Sequence, residues 1–222
     1  MVNGISNFKN EAVDIHTKYP DLEYMSSFIG NPVIRGKLVL NDEHNMHMDT
    51  YFIRIEPVQL YPFRFPKVYE IGGRIPNNVD WHIFPDGHCC IMSIPEEIHI
   101  CSNSITLAWF LEKQVKPYFF NQKFREMNGY FLHEREHDSF GNIEPFIEYF
   151  RTTDLKLIIT FLHFIKKRKE PERFDKCFCG GGRRYDKCHQ NSYRILNKFT
   201  NEEIDSFIII ISKYIEMKAF SL

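Results

Sequence analysis

Within thirteen residues, CFCGGGRRYDKCH, the chain places three cysteines and a histidine in a C-x-C-x8-C-H spacing. Three soft thiolates and one imidazole make a tetrahedral donor set for zinc, and they converge on one ion only if the chain doubles back between the two pairs. Gly180, Gly181 and Gly182 allow that reversal, because glycine enters turn conformations closed to other residues. The segment predicts a metal-clipped hairpin, about 177–189, with a structural zinc held by Cys177, Cys179, Cys188 and His189. A region of about forty residues is too short to build an independent core, so its order should depend on the ion.

The remainder can form a conventional core. The chain has 222 residues, 43% of them hydrophobic and 15% aromatic, which suits one medium domain with a small appendage. Lys and Arg number 28 against 29 Asp and Glu, a balance that argues against nucleic acid as a partner. The charge is unevenly spread: Arg151 to Lys198 carries thirteen basic and five acidic residues, an excess of eight that leaves minus nine elsewhere. The KKRK run from Lys166 to Lys169, with Arg183 and Arg184, is a candidate docking surface for an acidic partner, although a solvated helix face explains such runs more often.

The opening MVNGISNFKNEAVDI lacks a basic stretch followed by an apolar run. LKLIITFLHFI and IDSFIIIISKYI fall short of the roughly 20 residues a membrane span needs. We therefore expect a soluble, cytoplasmic protein with no membrane partner, whose six cysteines are thiols or metal ligands rather than disulfides.

Along the chain, Phe8 to Lys18 reads as a short amphipathic helix stopped before Pro20. Val33–Leu40, Thr50–Val58 and Lys67–Ile71 alternate or cluster β-branched and aromatic residues, predicting an antiparallel meander. NDEHNMHMD is a hairpin connection, and YPFRFP is a stiff aromatic edge in which Pro62 and Pro66 withhold two ladder donors. Residues 72–87 are irregular. A long helix follows from Ser104, its cap, to Gln122, presenting Ile105, Ala108, Trp109, Leu111 and Val115, with Pro117 expected to kink or end it. Further helices are expected over Thr153–Lys169 and about Asn201–Met217, the latter capped by Thr200. The expected fold is α+β, with a sheet-and-helix domain over 1–151 and a helical appendage with the zinc hairpin over 152–222.

HEREH, His133 to His137, copies the H-E-x-x-H pattern of zinc proteases, which requires a continuous helix. Gly129 and Gly141 flank it and favour a polar connection instead. FPDGHCCIM sets Cys89 and Cys90 side by side after an Asp-Gly turn. Adjacent side chains of an extended segment face opposite ways, so if one thiol is buried the other is exposed.

Two resemblances add to this reading. CFCGGGRRYDKCH matches the SEC-C zinc motif at every fixed position, which implies a structural zinc and a docking role. Over roughly Phe8 to Arg151, the order YPFRFP, a loop with Ile75-Pro76-Asn77, GHCCIM and a helix with Trp109 resembles the ubiquitin-conjugating enzyme fold. In that register Gly87, Cys89 in the apolar slot, Cys90 and Ile91 fall into place, and Cys90 is implied as the nucleophile. The family's His-Pro-Asn element is present only as Ile75-Pro76-Asn77. Asp80 and His82 would supply the polar groups near Cys90, as in divergent bacterial relatives; alternatively, His82 merely ties down its loop.

The combination with a SEC-C-like hairpin is similar to the short conjugating enzymes of bacterial anti-phage CBASS operons. This implies a Cys90 thioester with the C-terminus of a cGAS-like nucleotidyltransferase and transfer to an amine of an unidentified acceptor. The chain has no G-x-x-x-x-G-K-[ST] loop, so activation with ATP would occur elsewhere or be bypassed. The competing expectation is a non-catalytic adaptor of the same fold with a structural zinc.

Overall fold

The alternating runs pair as expected, with one strand added ahead of them. The computed structural model describes residues 3–26, 31–132 and 141–220, and the HEREH segment lies outside them. Strands β1 (Leu22–Ser26), β2 (Pro32–Asn41), β3 (His47–Glu56) and β4 (Lys67–Glu70) form an antiparallel sheet in the order β1-β2-β3-β4. The register sets Ile34 opposite Ile55, Leu38 opposite Tyr51 and Ile55 opposite Val68, all buried, so the middle of one sheet face is apolar, with Asp49 and Glu70 at its margins. β1 has no alternation to reveal it, because Leu22 is its only buried residue. The β2–β3 connection is shorter than NDEHNMHMD: Asp42 accepts the N–H groups of His44 (2.9 Å) and Met46 (2.8 Å), and His47 already belongs to β3.

The expected first helix is two, α1 (Gly4–Ala12) and α2 (Ile15–Lys18), separated at Val13 and Asp14. After α3 (Ile94–Cys101), the helix over the sheet consists of α4 (Leu107–Phe110), a π turn (Leu111–Val115) and α5 (Lys116–Asn128). Its cap is Thr106, which accepts the Trp109 N–H at 3.2 Å, while Ser104 sits upstream in the left-handed region. Pro117 does not end the helix. The Lys116 N–H reaches back to the Leu111 carbonyl, and this widened turn accommodates a residue with no N–H to give. Leu107, Phe110, Leu111, Val115, Tyr118 and Phe119 fill the core, with Trp109 half-buried beside them.

The YPFRFP edge is fastened through Glu11 of α1. Tyr61 donates its hydroxyl to Glu11 Oε1 at 2.6 Å, and the Leu107 N–H donates to Oε2 at 2.7 Å. One carboxylate thus joins α1, the edge and the start of α4.

The chain forms two compact units, residues 1–92 with 100–135, and residues 93–99 with 136–222. The boundary expected at 151/152 falls inside the second unit, because Phe146 and Phe150 of α6 (Glu144–Phe150) pack on Phe207 and Phe161, each at 5.0 Å between ring centres. α7 (Leu155–Lys166), α8 (Gln190–Leu196) and α9 (Asn201–Phe220) complete a core that includes Ile158, Leu162, Leu196, Ile204 and Ile211. This unit therefore has a packed core of its own, and a metal would not be its only source of order.

Asp154 caps α7 through the N–H groups of Lys156 (3.0 Å) and Leu157 (3.1 Å). Before α9, Thr200 and Glu203 exchange hydrogen bonds of 3.1 and 2.8 Å, a reciprocal capping box. Part of the KKRK run serves the unit itself. Lys166 pairs with Asp205, and Arg168 donates to the carbonyls of Asn197 (2.8 Å) and Phe199 (2.6 Å) beyond the end of α8. Among the described residues, no helix is long and apolar enough to cross a membrane.

Candidate functional site

The double cysteine lies on a short extended strip held on both sides by backbone. On one side the Cys89 N–H donates to the Val68 carbonyl of β4 at 2.7 Å, and His88 bridges to Tyr69. On the other, the Cys90 N–H donates to the His82 carbonyl at 2.7 Å, the Phe84 N–H donates to the His88 carbonyl at 2.9 Å, and Ile83 bridges to Cys89. The strip is entered by a tight turn in which the Gly87 N–H donates to the Phe84 carbonyl at 2.8 Å, with Gly87 at φ 86°, a conformation that favours glycine.

With the strip fixed, the two thiols part. Cys89 is buried, and burial pushes its thiol up to about 12 despite a hydrogen bond with Tyr118. Cys90 is only half-buried. Tyr118 donates to the His82 carbonyl at 3.0 Å and the buried Gln122 amide to the Trp81 carbonyl at 2.8 Å, so α5 braces the loop from behind.

His82 meets Cys90 through its backbone carbonyl, while its ring lies 4.6 Å from Phe131. The Arg125 guanidinium fills the gap between Phe131 (4.5 Å) and Trp81 (4.4 Å). The Asp80 side chain is exposed, and its backbone carbonyl accepts from Arg125. In the Ile75-Pro76-Asn77 element, Ile75 is buried and Asn77 is exposed.

In the second unit the four expected ligands converge, with all donor atoms within 4.8 Å of one another. His189 Nδ1 is 3.4 Å from both Cys177 Sγ and Cys188 Sγ, and Cys179 Sγ is 3.7 Å from Cys188 Sγ. The hairpin is closed by Cys177 N–H to the Arg183 carbonyl (2.8 Å) and Tyr185 N–H to the Asp175 carbonyl (2.8 Å). Gly180 and Gly182, each at φ 74°, turn the chain.

The other ring nitrogen of His189 is 3.0 Å from the Phe150 carbonyl, to which it donates, leaving Nδ1 to face the thiols as an acceptor. Burial pushes the Cys188 thiol up to about 12. Cys179 is lowered, its burial outweighed by hydrogen bonds from the Gly181 backbone, Cys177 and Cys188. This arrangement can hold a metal ion. Phe178, between the first two ligands, stacks on Phe164 at 4.6 Å and 12°, so the C-F-C step points sulfurs at the cluster and a ring at the core.

Neither a family model nor a curated protein matches this chain. Its chemistry is read from these two sites.

One group beside the strip escaped the sequence reading. His88 Nδ1 contacts the Asp86 carboxylate, and Asp86 pairs with Lys67 of β4 at 2.7 Å. The signal was present: His88 stands two residues before Cys90, which in an extended strip means the same face.

Proposed function

We propose that the first unit is a ubiquitin-conjugating-like cysteine acyltransferase with Cys90 as nucleophile, and that the second is a SEC-C-like docking unit stabilised by zinc. The observation that carries the first part is the division of the cysteine pair. Cys89 is sealed in the core, whereas Cys90 is half-buried on a strip held between β4 and residues 82–84. The antiparallel meander followed by a covering helix also agrees with the family's order of elements.

In the proposed reaction, the Cys90 thiolate adds to the carbonyl carbon of an activated C-terminal acyl group, an acyl-adenylate or a thioester. AMP or a thiolate leaves with the bonding electron pair, and a Cys90 thioester remains. An acceptor amine then attacks that carbonyl, loses a proton, and expels the Cys90 thiolate as the amide forms. The acyl group belongs to the C-terminus of a cGAS-like nucleotidyltransferase, in anti-phage defence, and the compartment is the cytoplasm.

The zinc reading is supported by donor chemistry and spacing. A tetrahedral zinc with bonds of about 2.3 Å to sulfur and 2.0–2.1 Å to nitrogen sets sulfurs roughly 3.8 Å apart and sulfur and nitrogen roughly 3.5 Å apart. Three of the donor pairs, at 3.7, 3.4 and 3.4 Å, match these separations, and all donor atoms lie within 4.8 Å of one another. Cys177, Cys179, Cys188 and His189 would hold the ion, which would clip the hairpin closed.

A second reading, a non-catalytic adaptor, is favoured by the buried Ile75 and exposed Asn77 where the family carries His-Pro-Asn. The two readings part on one experiment. The protein is co-expressed with a cGAS-like nucleotidyltransferase and the products are run on denaturing gels. A reductant-sensitive conjugate that disappears in Cys90→Ala and becomes reductant-stable in Cys90→Lys supports the transferase. Binding of the nucleotidyltransferase with no conjugate in any variant supports the adaptor.

A further inference from the structure

His88 is held more firmly than a turn residue requires. Its Nδ1 lies against the Asp86 carboxylate, which Lys67 fixes at 2.7 Å. The imidazole is stacked on Phe84, with ring centres 4.3 Å apart and 25° between planes, and meets the edge of Tyr69 at 6.3 Å. A carboxylate on Nδ1 keeps the proton there and leaves Nε2 as the basic nitrogen. The strip bridges Tyr69 through His88 and Ile83 through Cys89, so His88 and Cys90 share the face opposite the buried Cys89.

From this placement we infer that His88, oriented by Asp86, is the base that takes the proton of Cys90. The inference rests on the reading of Cys90 as nucleophile. In the first step the thiol proton passes to His88 Nε2 while Sγ adds to the activated acyl carbon and AMP or a thiolate leaves. In the second, Nε2, which has by then passed its first proton to the departing AMP or thiolate, takes the proton that the attacking amine loses as the carbon–sulfur bond breaks and its electron pair returns to Sγ. That proton then neutralises the thiolate. His88 is thus a catalytic residue in this scheme, and Asp86 is a positioning residue. The charged groups that face His88 are Asp86 on its own turn and Lys67 from β4. Burial holds His88 below its ordinary 6.5, against the opposing pull of Asp86, so at neutral pH the ring is uncharged and can accept a proton.

The test is site-resolved alkylation of the full-length protein with iodoacetamide between about pH 5 and 10, with fragment mass spectra assigning label to Cys90. In the wild type the Cys90 rate should rise as His88 loses its proton below 6.5, level off, and rise again in the alkaline range as thiolate forms without a base. His88→Gln should abolish the lower rise and slow labelling at neutral pH by about tenfold, and single-turnover thioester formation by on the order of 10²-fold. Asp86→Asn keeps the imidazole and should move and shrink the lower rise without abolishing it. Labelling of the buried Cys89 would reveal a variant that has not folded; if His88→Gln fails that control, Asp86→Asn decides alone.

Profiles identical to wild type in the folded variants overturn the inference, and a wild-type thioester alongside them leaves the transferase reading standing. A His88-dependent lower rise with no thioester in any protein does the reverse: the pair stands and the transferase reading falls.

Discussion

The two cysteine sites obey opposite geometries. Cys89 and Cys90 are neighbours in sequence and are driven apart, because an extended strip alternates its side chains: one thiol enters the core and the other the half-exposed face. Cys177, Cys179 and Cys188 are separated in sequence and are driven together, because two glycines at φ 74° fold the hairpin back on itself. Sequence distance between thiols is therefore a poor guide to their chemistry. The backbone between them decides whether they form a cluster or a single reactive group.

The strongest way to break this comparison is to challenge the proposed zinc. Metal binding at such sites contributes on the order of 10 kcal/mol, so a strong chelator at neutral pH, or Cys177→Ser, should open residues 176–190 to proteolysis. The same treatment should leave the alkylation of Cys90 unchanged. Proteolysis of 176–190 that is insensitive to chelator would remove the metal from the account. Metal analysis should find one zinc per chain in the wild type, and none in Cys177→Ser.

A smaller effect should come from the packing side of the hairpin. Phe178→Ala removes the ring stacked on Phe164 while keeping every ligand. Because Phe178 is only half-buried, we expect a loss of about 2 kcal/mol, below the usual range for a core phenylalanine, read as a lower urea midpoint of the second unit. No change would mean that the ligands alone hold the hairpin.

The first unit has a different dependence, on charge. Asp49 is held well below its ordinary 3.8, first by hydrogen bonding to Arg74, and Arg74 also pairs with Glu126 at 2.6 Å. A lowered carboxyl contributes stability that is complete above its unfolded value and declines as pH falls below it. The urea midpoint of the first unit should therefore drop as the pH is taken below 3.8. Asp49→Asn should cost roughly 2 kcal/mol at neutral pH and flatten that acid limb. An acid limb as steep in the variant as in the wild type would place the sensitivity elsewhere.

The smallest effect tests the alternation itself. Cys89→Ala should lose about 1 kcal/mol through a small packing defect and keep any Cys90 conjugate. Cys90→Ala should leave stability almost unchanged and abolish the conjugate. The reverse pattern would mean that the strip is out of register by one residue.

Much of this was legible in the sequence because it is local. The C-x-C-x8-C-H spacing with its glycines specifies the cluster, Thr200 with Glu203 announces α9, and alternation marks β2, β3 and β4. Strand geometry alone required Cys89 and Cys90 to differ, but which of them is buried depends on contacts with β4 and α5. Other features needed distant parts of the chain to meet: Glu11 joining Tyr61 to Leu107, Arg74 gathering Asp49 and Glu126, and the membership of Phe146 and Phe150 in the second core. The π turn before Pro117 is of this kind as well. The proline's missing donor is visible in the sequence, but only a covering helix packed along an apolar sheet makes widening one turn less costly than ending it. Spacing and turn chemistry act over a few bonds and can be read from the chain, whereas burial and charge pairing depend on which surfaces meet, and that is decided only once the chain has folded.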